Sequence, residues 1–261
     1  MKKYALSVWF IAITMSSSFA QKTTTKPAES STSVNATTNL HLTVYRNAIK
    51  SGDFATAIVS LNYVVASESK TGKYRDSLAY LYMATQNIQQ GLYWSDLVLQ
   101  TQPNYLGMLE IKANSLKQLG QPLKAIETYE KMLLLDKSPI TCFNLTELQY
   151  NVKRLYECIA STQVAESLNI TKDMVFSYQV TEKESAQTPL MAAFYNYRGL
   201  ALYDLGRKEE AKAAFNEALK LDSKFLLALS NLLTIEKEEE ANKKKETAPE
   251  TTTPETPKTN K

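Results

Sequence analysis

Short segments with the same arrangement of residues recur along this chain at a constant spacing. Three of them place a glycine five positions before an alanine, at residues 52–57, 120–125 and 206–211. Small residues at Ala57, Gly91 and Ala125 are evenly spaced, with a period of about 34 residues. Amphipathic helical patterns fill the intervals, with Gly, Pro or Asp at the breaks. Because a unit of this length cannot bury its apolar face alone, the spacing predicts an all-α array of stacked units.

The last copy of the repeat carries the most complete pattern. Its characteristic residues are Tyr195, Gly199, Leu202, Gly206, Ala211, Phe215 and Ala218. This pattern resembles the tetratricopeptide repeat, with Tyr195 at the large aromatic position, Gly199 at the small position and Gly206 at the turn between two helices. The resemblance implies helix–turn–helix units and, for the whole chain, an α-solenoid of about four such repeats. Small residues would let the two helices of a unit approach closely.

The three copies that fill residues 40–139 depart from this pattern to different degrees. The third, residues 106–139, keeps both the small residue and the turn glycine. The second has Gln86 where the turn glycine is expected, and the first has Tyr45 at the small position. The first unit of a stack has one side exposed, so it tolerates a large residue there.

The interval between the third copy and the last exceeds two whole periods by about half a period. One degenerate repeat at residues 140–173, followed by an insertion, accounts for that length. We expect the degenerate copy to have Ala165 at a packing position and its two helices at residues 148–158 and 164–168.

The insertion, residues 174–190, differs in character from the rest. Residues 175–180 alternate with period two and are rich in β-formers, and a polar break follows at residues 181–185. We predict a short β-hairpin here, with an irregular loop as the alternative. Its apolar face either packs on the neighbouring repeats or is covered only when a strand of a partner protein binds. We expect packing on the repeats, because an unpaired strand edge favours aggregation. The residues of that face are Phe176, Tyr178 and Val180.

Residues 1–20 have the pattern of an export signal. Two lysines precede an apolar run at residues 4–15, and the small residues Ser18 and Ala20 end the segment. The alternative is a membrane anchor, but the run is shorter than the roughly 20 apolar residues that a spanning helix needs. We therefore expect an exported protein, periplasmic or secreted, whose mature chain begins at Gln21.

Two further segments contain too few apolar residues to form a core. Residues 21–39 are rich in Thr, Ser, Ala and Lys and predict a disordered linker. Residues 236–261 predict a charged, Thr/Pro-rich tail. Between the insertion and this tail, residues 191–235 hold the last repeat and a capping helix.

There is little support in the sequence for nucleic-acid binding or catalysis. The formal net charge of +3 falls to +1 once the two lysines of the signal are removed, too little for phosphate recognition. The single histidine, His41, has no metal-ligand residue at suitable spacing, and no catalytic constellation or phosphate-binding loop is present. We predict a non-enzymatic protein without metal or cofactor.

Cys142 and Cys158 are the two cysteines of the chain. If residues 143–157 form one helix, the two thiols lie roughly 24 Å apart, beyond the reach of a disulfide. We therefore expect both thiols to be free.

The resemblance implies that the first helix of each repeat lines a concave, partner-binding groove. The residues that map to partner-facing positions are Arg46, Asp76, Tyr80, Met83, Asn114, Lys117, Asn196 and Tyr203. Glu110 falls at a further position of this kind. The same mapping places three further residues on this face: Leu42, Ile49 and Leu200. The alternative is that the register of the mapping is shifted by one residue and that these three side chains belong to the core.

These observations predict a scaffold that binds a protein or peptide partner in the bacterial cell envelope. Aromatic and Arg side chains on the mapped face are typical of protein interfaces. The rival hypothesis is a carbohydrate-binding or cell-wall accessory protein whose tyrosines stack on sugar rings. Fifteen tyrosines make it conceivable, although repeat packing accounts for Tyr82, Tyr129 and Tyr195.

Overall fold

The computed structural model describes residues 31–67 and 74–246. Within these ranges the chain forms eleven helices and one two-stranded hairpin. The elements are α1 Ser31–Ser51, α2 Phe54–Ser67, α3 Arg75–Ala84, α4 Ile88–Leu99, α5 Leu106–Gln118, α6 Pro122–Asp136, α7 Pro139–Asn151, α8 Leu155–Glu166, β1 Val175–Gln179, β2 Ser185–Pro189, α9 Leu190–Asp204, α10 Lys208–Leu221 and α11 Leu226–Glu246.

Ten of these helices form five pairs, from α1–α2 to α9–α10, and α11 follows the last pair. Each pair packs on the next, so the core is a series of clusters along the stack. A residue with left-handed backbone follows the first helix of every pair: Gly52, Gln86, Gly120, Lys153 and Gly206. These turn residues are almost evenly spaced, except that the last interval is longer because the hairpin is inserted there. The predicted all-α solenoid with one degenerate repeat is confirmed.

Close approach within a pair depends on small residues. Ala57, Ala125 and Ala211 are completely buried at equivalent positions of the second helices. Gly199 faces the ring of Phe215, and a Cβ added there would lie 2.5 Å from a ring carbon. The small residues identified in the sequence therefore set the distance between paired helices.

The degenerate repeat is a complete helical pair, but its predicted boundaries are wrong. Its helices are α7 and α8, not residues 148–158 and 164–168. Ser138 caps α7 by accepting a bond from the Thr141 amide, and Pro139 occupies the first turn, where no amide partner is needed. The turn between the helices has Lys153 where other repeats have glycine, so the sequence lacks the glycine that usually marks such a turn. Ala165 is buried in α8 as expected.

The two cysteines lie on different helices of this pair, so the premise of one helix over residues 143–157 is also wrong. The expectation of free thiols is confirmed, and both are buried. Cys158 occupies the position equivalent to Ala125, one repeat earlier in the chain. It serves there as a small apolar residue.

The insertion forms an antiparallel hairpin, and it packs on the solenoid. Phe176 pairs with Thr188 and Tyr178 with Ala186 across the two strands. The Phe176 ring lies 5.1 Å from that of Phe143 in α7, between ring centroids. Val180, expected on the same apolar face, lies beyond the end of β1 and is exposed.

Tyr178, stacked beside Phe176 on β1, reaches the far end of the last repeat. Its ring lies 5.2 Å from that of Phe225, and its hydroxyl accepts a bond from the Leu226 amide at the start of α11. The predicted hairpin, packed on its own chain, is confirmed.

Both low-apolar segments contain helix, which contradicts the disorder expected for the linker. The linker at residues 21–39 is helical from Ser31 onward, and the tail at residues 236–261 is helical as far as Glu246. In the tail, Glu238 and Glu239 pair with Lys208 and Lys212 of α10, which anchors the last turns of α11.

The export signal and the Thr/Pro-rich end lie outside the described residues, which exclude 1–30, 68–73 and 247–261. Among the helices that the structure describes, none combines the length and apolarity needed to cross a bilayer.

Candidate partner-binding groove

The contacts between neighbouring pairs determine which side of the array is concave. First helices of adjacent pairs contact each other at α3–α5, α7–α9 and α9–α11, whereas second helices make no comparable contacts in the described ranges. A cleft of about 450 Å³ opens between the second helices α4 and α6. The array therefore curves with its first helices inside. We call the surface formed by α1, α3, α5, α7, α9 and α11 the inner face.

At the beginning of the inner face, two of the predicted residues are open to solvent. Arg46 is exposed on α1, and Tyr80 on α3 is 47% exposed. The Tyr80 hydroxyl lies over Gly107 of the next first helix, where an added Cβ would collide with its oxygen. Glycine at 107 therefore makes room for this tyrosine.

Asp76, one turn before Tyr80, is engaged within the protein. Its carboxylate accepts a 3.3 Å hydrogen bond from the Tyr105 hydroxyl. Burial, with Tyr80 and the negative charge of Asp76 nearby, raises the pKa of Tyr105 to about 12, so the phenol remains a donor at neutral pH. Asp76 thus links α3 to the chain before α5.

Met83 and Asn114 are half-buried and have structural partners. The Met83 sulfur accepts a 3.3 Å bond from the Ser115 hydroxyl and fills the space left by Gly91, where a Cβ would lie 2.7 Å away. The Asn114 side-chain oxygen accepts a 2.6 Å bond from the hydroxyl of buried Tyr129. Both side chains therefore mainly hold helices in position, and they offer little surface to a partner.

Lys117 belongs to a polar chain that joins three first helices. Its ammonium pairs with Glu147 of α7, and the other carboxylate oxygen of Glu147 accepts a 3.5 Å bond from Tyr197 of α9. Burial and the Glu147 charge raise the pKa of Tyr197 well above its usual range. The chain fixes the spacing of α5, α7 and α9.

Two inner-face residues of α7 were not predicted, because the expected boundaries of that helix are wrong. Glu147 and Tyr150 follow Asn114 and Lys117 by one repeat, the same offset that separates the turn residues Gly120 and Lys153. Carrying the repeat through residues 139–152 would have found both. Tyr150 lies beside Lys153, whose ammonium is 4.9 Å from the ring centroid.

Asn196 and Tyr203 are covered by α11. Buried Asn196 accepts a 3.0 Å bond from the side chain of Asn231. The Tyr203 hydroxyl donates to Glu238, whose other oxygen accepts a 2.6 Å bond from Lys208. Both residues therefore hold the last helix in place, and their side chains are not open to a partner.

The remaining mapped residues divide between core and surface. Leu42 and Leu200 are partly buried and pack against the hydrophobic clusters, so for these two the core alternative holds. Ile49 and Glu110 are exposed on α1 and α5. His41 stacks on Tyr63 at 4.6 Å between ring centroids. No group of metal-binding side chains occurs in residues 31–67 or 74–246.

Two segments of the chain match models of the tetratricopeptide repeat, at residues 107–139 and 192–225. They coincide with the α5–α6 and α9–α10 pairs, whose turns are Gly120 and Gly206. No curated protein matches the chain significantly in sequence.

Solved structures with the same architecture are similar over most of the chain. The crystal structure of MamA superposes with a TM-score of 0.57 at 16% identity, covering 73% of this chain and 94% of that one. MamA from Desulfovibrio magneticus gives a TM-score of 0.53 at 14% identity, with 72% and 97% covered.

YrrB, described as a tetratricopeptide-repeat protein with an unusual peptide-binding site, is similar at a TM-score of 0.57. It is 12% identical, with 73% of this chain and 89% of that chain covered. At these identities the likeness concerns the fold. With two matched repeats in a stack of five helical pairs, this chain is a tetratricopeptide-repeat protein.

Proposed function

We propose that this protein is a scaffold that binds a protein or peptide partner along the beginning of its inner face, around Arg46, Tyr80 and Glu110. The observation that carries the proposal is the exposure of Tyr80. This residue is 47% exposed on the concave side, although its neighbours Asp76 and Met83 are engaged inside the protein. A rigidly supported aromatic side chain that is open to solvent is a typical interface anchor.

The charges around Tyr80 suit a polypeptide. Arg46 precedes it on α1 and Glu110 follows it on α5, both exposed. A segment lying across the three helices would meet a cation, an aromatic ring and a carboxylate in that order. Arg and Tyr are enriched in protein interfaces. The peptide-binding site ascribed to YrrB supports a similar use of this fold.

The end of the inner face is a weaker candidate. Asn196 and Tyr203 are bonded to α11, and Lys117 is neutralised by Glu147. A partner there would have to displace helix α11 or break an ion pair. We therefore propose that the partner binds on α1, α3 and α5, without a catalytic step.

The test begins by using the full chain to capture its partner from the envelope fraction. The captured partner is then titrated against wild-type protein and the Arg46→Ala, Tyr80→Ala double variant. We expect the dissociation constant to rise at least about tenfold with unchanged circular dichroism, since both side chains are exposed. Tyr156→Ala, an exposed tyrosine on the second helix α8, is the matched control and should bind normally. Equal weakening in the control, or unfolding of the double variant, would refute the proposed site.

The same capture separates the protein partner from the carbohydrate alternative. Tyr82 and Tyr195 pack against hydrophobic clusters and Tyr129 is buried, as repeat packing requires. The exposed Tyr63, Tyr93 and Tyr156 lie on three different second helices. If glycan digestion of the envelope fraction abolishes capture, the carbohydrate hypothesis replaces the proposal.

The compartment is part of the proposal and is supported by the pattern of residues 1–20. Intact-mass measurement of the exported protein should give an N-terminus at Gln21. Recovery of residues 1–20 on a membrane-bound form would contradict cleavage.

A further inference from the structure

Helix α11 occupies the position of a first helix in the repeat. Leu229 and Leu233 follow Tyr195 and Gly199 of α9 by one full repeat. In α9 those positions face α10, because Gly199 lies against the Phe215 ring. No helix follows α11 in the described part of the chain. Within the described residues, α11 is therefore a first helix without a paired second helix.

The side of α11 that a second helix would cover carries a stripe of exposed leucines. Ala228 and Ile235 face the solenoid and are buried. Leu226, Leu229 and Leu233 are 44%, 37% and 42% exposed. Their spacing of three and four positions places them on one side of the helix. An apolar stripe of this kind normally packs on another helix.

The composition of residues 247–261 is poorly suited to covering the stripe. Residues 247–261 contain no Leu, Ile, Val, Met or aromatic residue, and prolines occur at 249, 254 and 257. Proline interrupts helices, and side chains of this type offer little apolar area.

We propose that the leucine stripe is covered by α11 of a second copy of this chain, packed antiparallel about a two-fold axis. In a pair centred between Leu229 and Ser230, Leu226 lies opposite Leu233. Lys224 lies in the turn just before α11, so this register brings it to the end of the partner's stripe, where Glu236 lies. A two-fold axis produces this pair of opposite charges twice.

The charges favour an antiparallel pair of α11 helices over a parallel pair. Lys224 and Glu236 are exposed, and neither side chain has an ion-pair partner among residues 31–67 and 74–246. In a parallel arrangement each charge would face its own copy, which is unfavourable. Only the antiparallel arrangement gives both residues a partner of opposite sign.

Sedimentation equilibrium of the full chain, over about 1 to about 300 µM, tests the proposal. We expect a reversible monomer–dimer equilibrium that Leu229→Glu abolishes, because it places a carboxylate on the stripe. Leu134→Glu replaces an exposed leucine on α6 and should dimerise like wild type. A monomer at every concentration, or a dimer unaffected by Leu229→Glu, overturns the proposal.

Charge exchange provides a second test that does not depend on the leucines. Lys224→Glu and Glu236→Lys should each raise the dimer dissociation constant about tenfold, since like charges then meet at both ends. Mixing the two single variants should give a heterodimer of wild-type affinity, and the double variant should dimerise again. If the mixture stays monomeric while wild type dimerises, the antiparallel geometry is wrong.

Discussion

Gly199 shows how one residue sets the geometry of a helical pair. A Cβ at this position would lie 2.5 to 2.8 Å from three carbons of the Phe215 ring. The ring is buried among Ala211, Ala218 and the helices of the last repeat, so it has little room to move. Helices α9 and α10 can pack at this distance only because residue 199 has no side chain.

We predict that Gly199→Leu destabilises the protein by about 3 kcal/mol, the upper end of typical overpacking costs, because a rigid ring must be displaced. The free energy of unfolding in urea would measure the effect. Ala213→Leu, which introduces the same side chain on the more open side of α10, should leave stability nearly unchanged. Equal unfolding midpoints for wild type and Gly199→Leu would show that this contact does not limit the packing.

The turn residues show what the sequence could and could not predict. Glycine marks the left-handed turns at 52, 120 and 206, and those three pairs were located correctly. The even spacing of the repeat located the second pair as well, although its turn residue is Gln86. Gln86 and Lys153 adopt the same conformation, which costs a residue with a Cβ roughly 1 kcal/mol. At Lys153 a 2.7 Å ion pair with Asp204 of the next first helix helps to hold the turn. That contact is non-local, which explains why the fourth pair was misplaced.

The hairpin connects three helices of the stack, α7, α9 and α11. Phe176 contacts Phe143 of α7, β2 leads directly into α9, and Tyr178 binds the first turn of α11. Period-two alternation predicted the strands, because it is local. The acceptor role of the Tyr178 hydroxyl depends on a partner 48 positions later and could not be read from the pattern.

Phe176→Ser should lower the free energy of unfolding by about 2 kcal/mol, since the ring is partly buried between Phe143 and Tyr178. Hydrogen exchange should accelerate in α9 and α11, while the amides of α5 and α6 keep their protection. Val180→Ser, beyond the strand end and exposed, is the control and should have little effect.

A hairpin that is not packed on the repeats, and that is ordered only when a partner strand binds, would behave differently. Its amides would exchange fast in the free wild-type protein, and Phe176→Ser would melt like wild type. That combination would contradict the packing role.

The candidate site was partly predictable, because the repeat determines which helix face a residue lies on but not whether another helix covers it. The mapping placed Arg46, Tyr80 and Lys117 on first helices, as observed. The exposure of these side chains could not be predicted in the same way, because it depends on the neighbouring helices. Like Tyr80, Asn196 and Tyr203 map to partner-facing positions. Helix α11 forms hydrogen bonds with both of these side chains, so they are not open to a partner.

Across the whole molecule, buried groups that lose protons at high pH are distributed over consecutive pairs. Burial raises the pKa of Tyr129 in α6 from 10.0 to about 12. It raises the pKa of Cys142 in α7 from 9.0 to about 11 and that of Cys158 in α8 from 9.0 to about 12. The common cause is that a thiolate or phenolate is poorly solvated inside the stack.

We therefore predict that the protein loses stability in alkaline solution. The folded chain keeps these protons at pH values where the unfolded chain releases them, so each group's contribution is complete below about pH 9 and disappears as the pH rises toward about 12. Urea midpoints measured from about pH 8 to about pH 11 should fall continuously. Cys158→Ala removes one titrating group while keeping a small apolar side chain, so its midpoint should fall less steeply than that of wild type. Parallel pH profiles for the two proteins would mean that the Cys158 thiol does not control this transition, and a flat wild-type profile would refute the prediction as a whole.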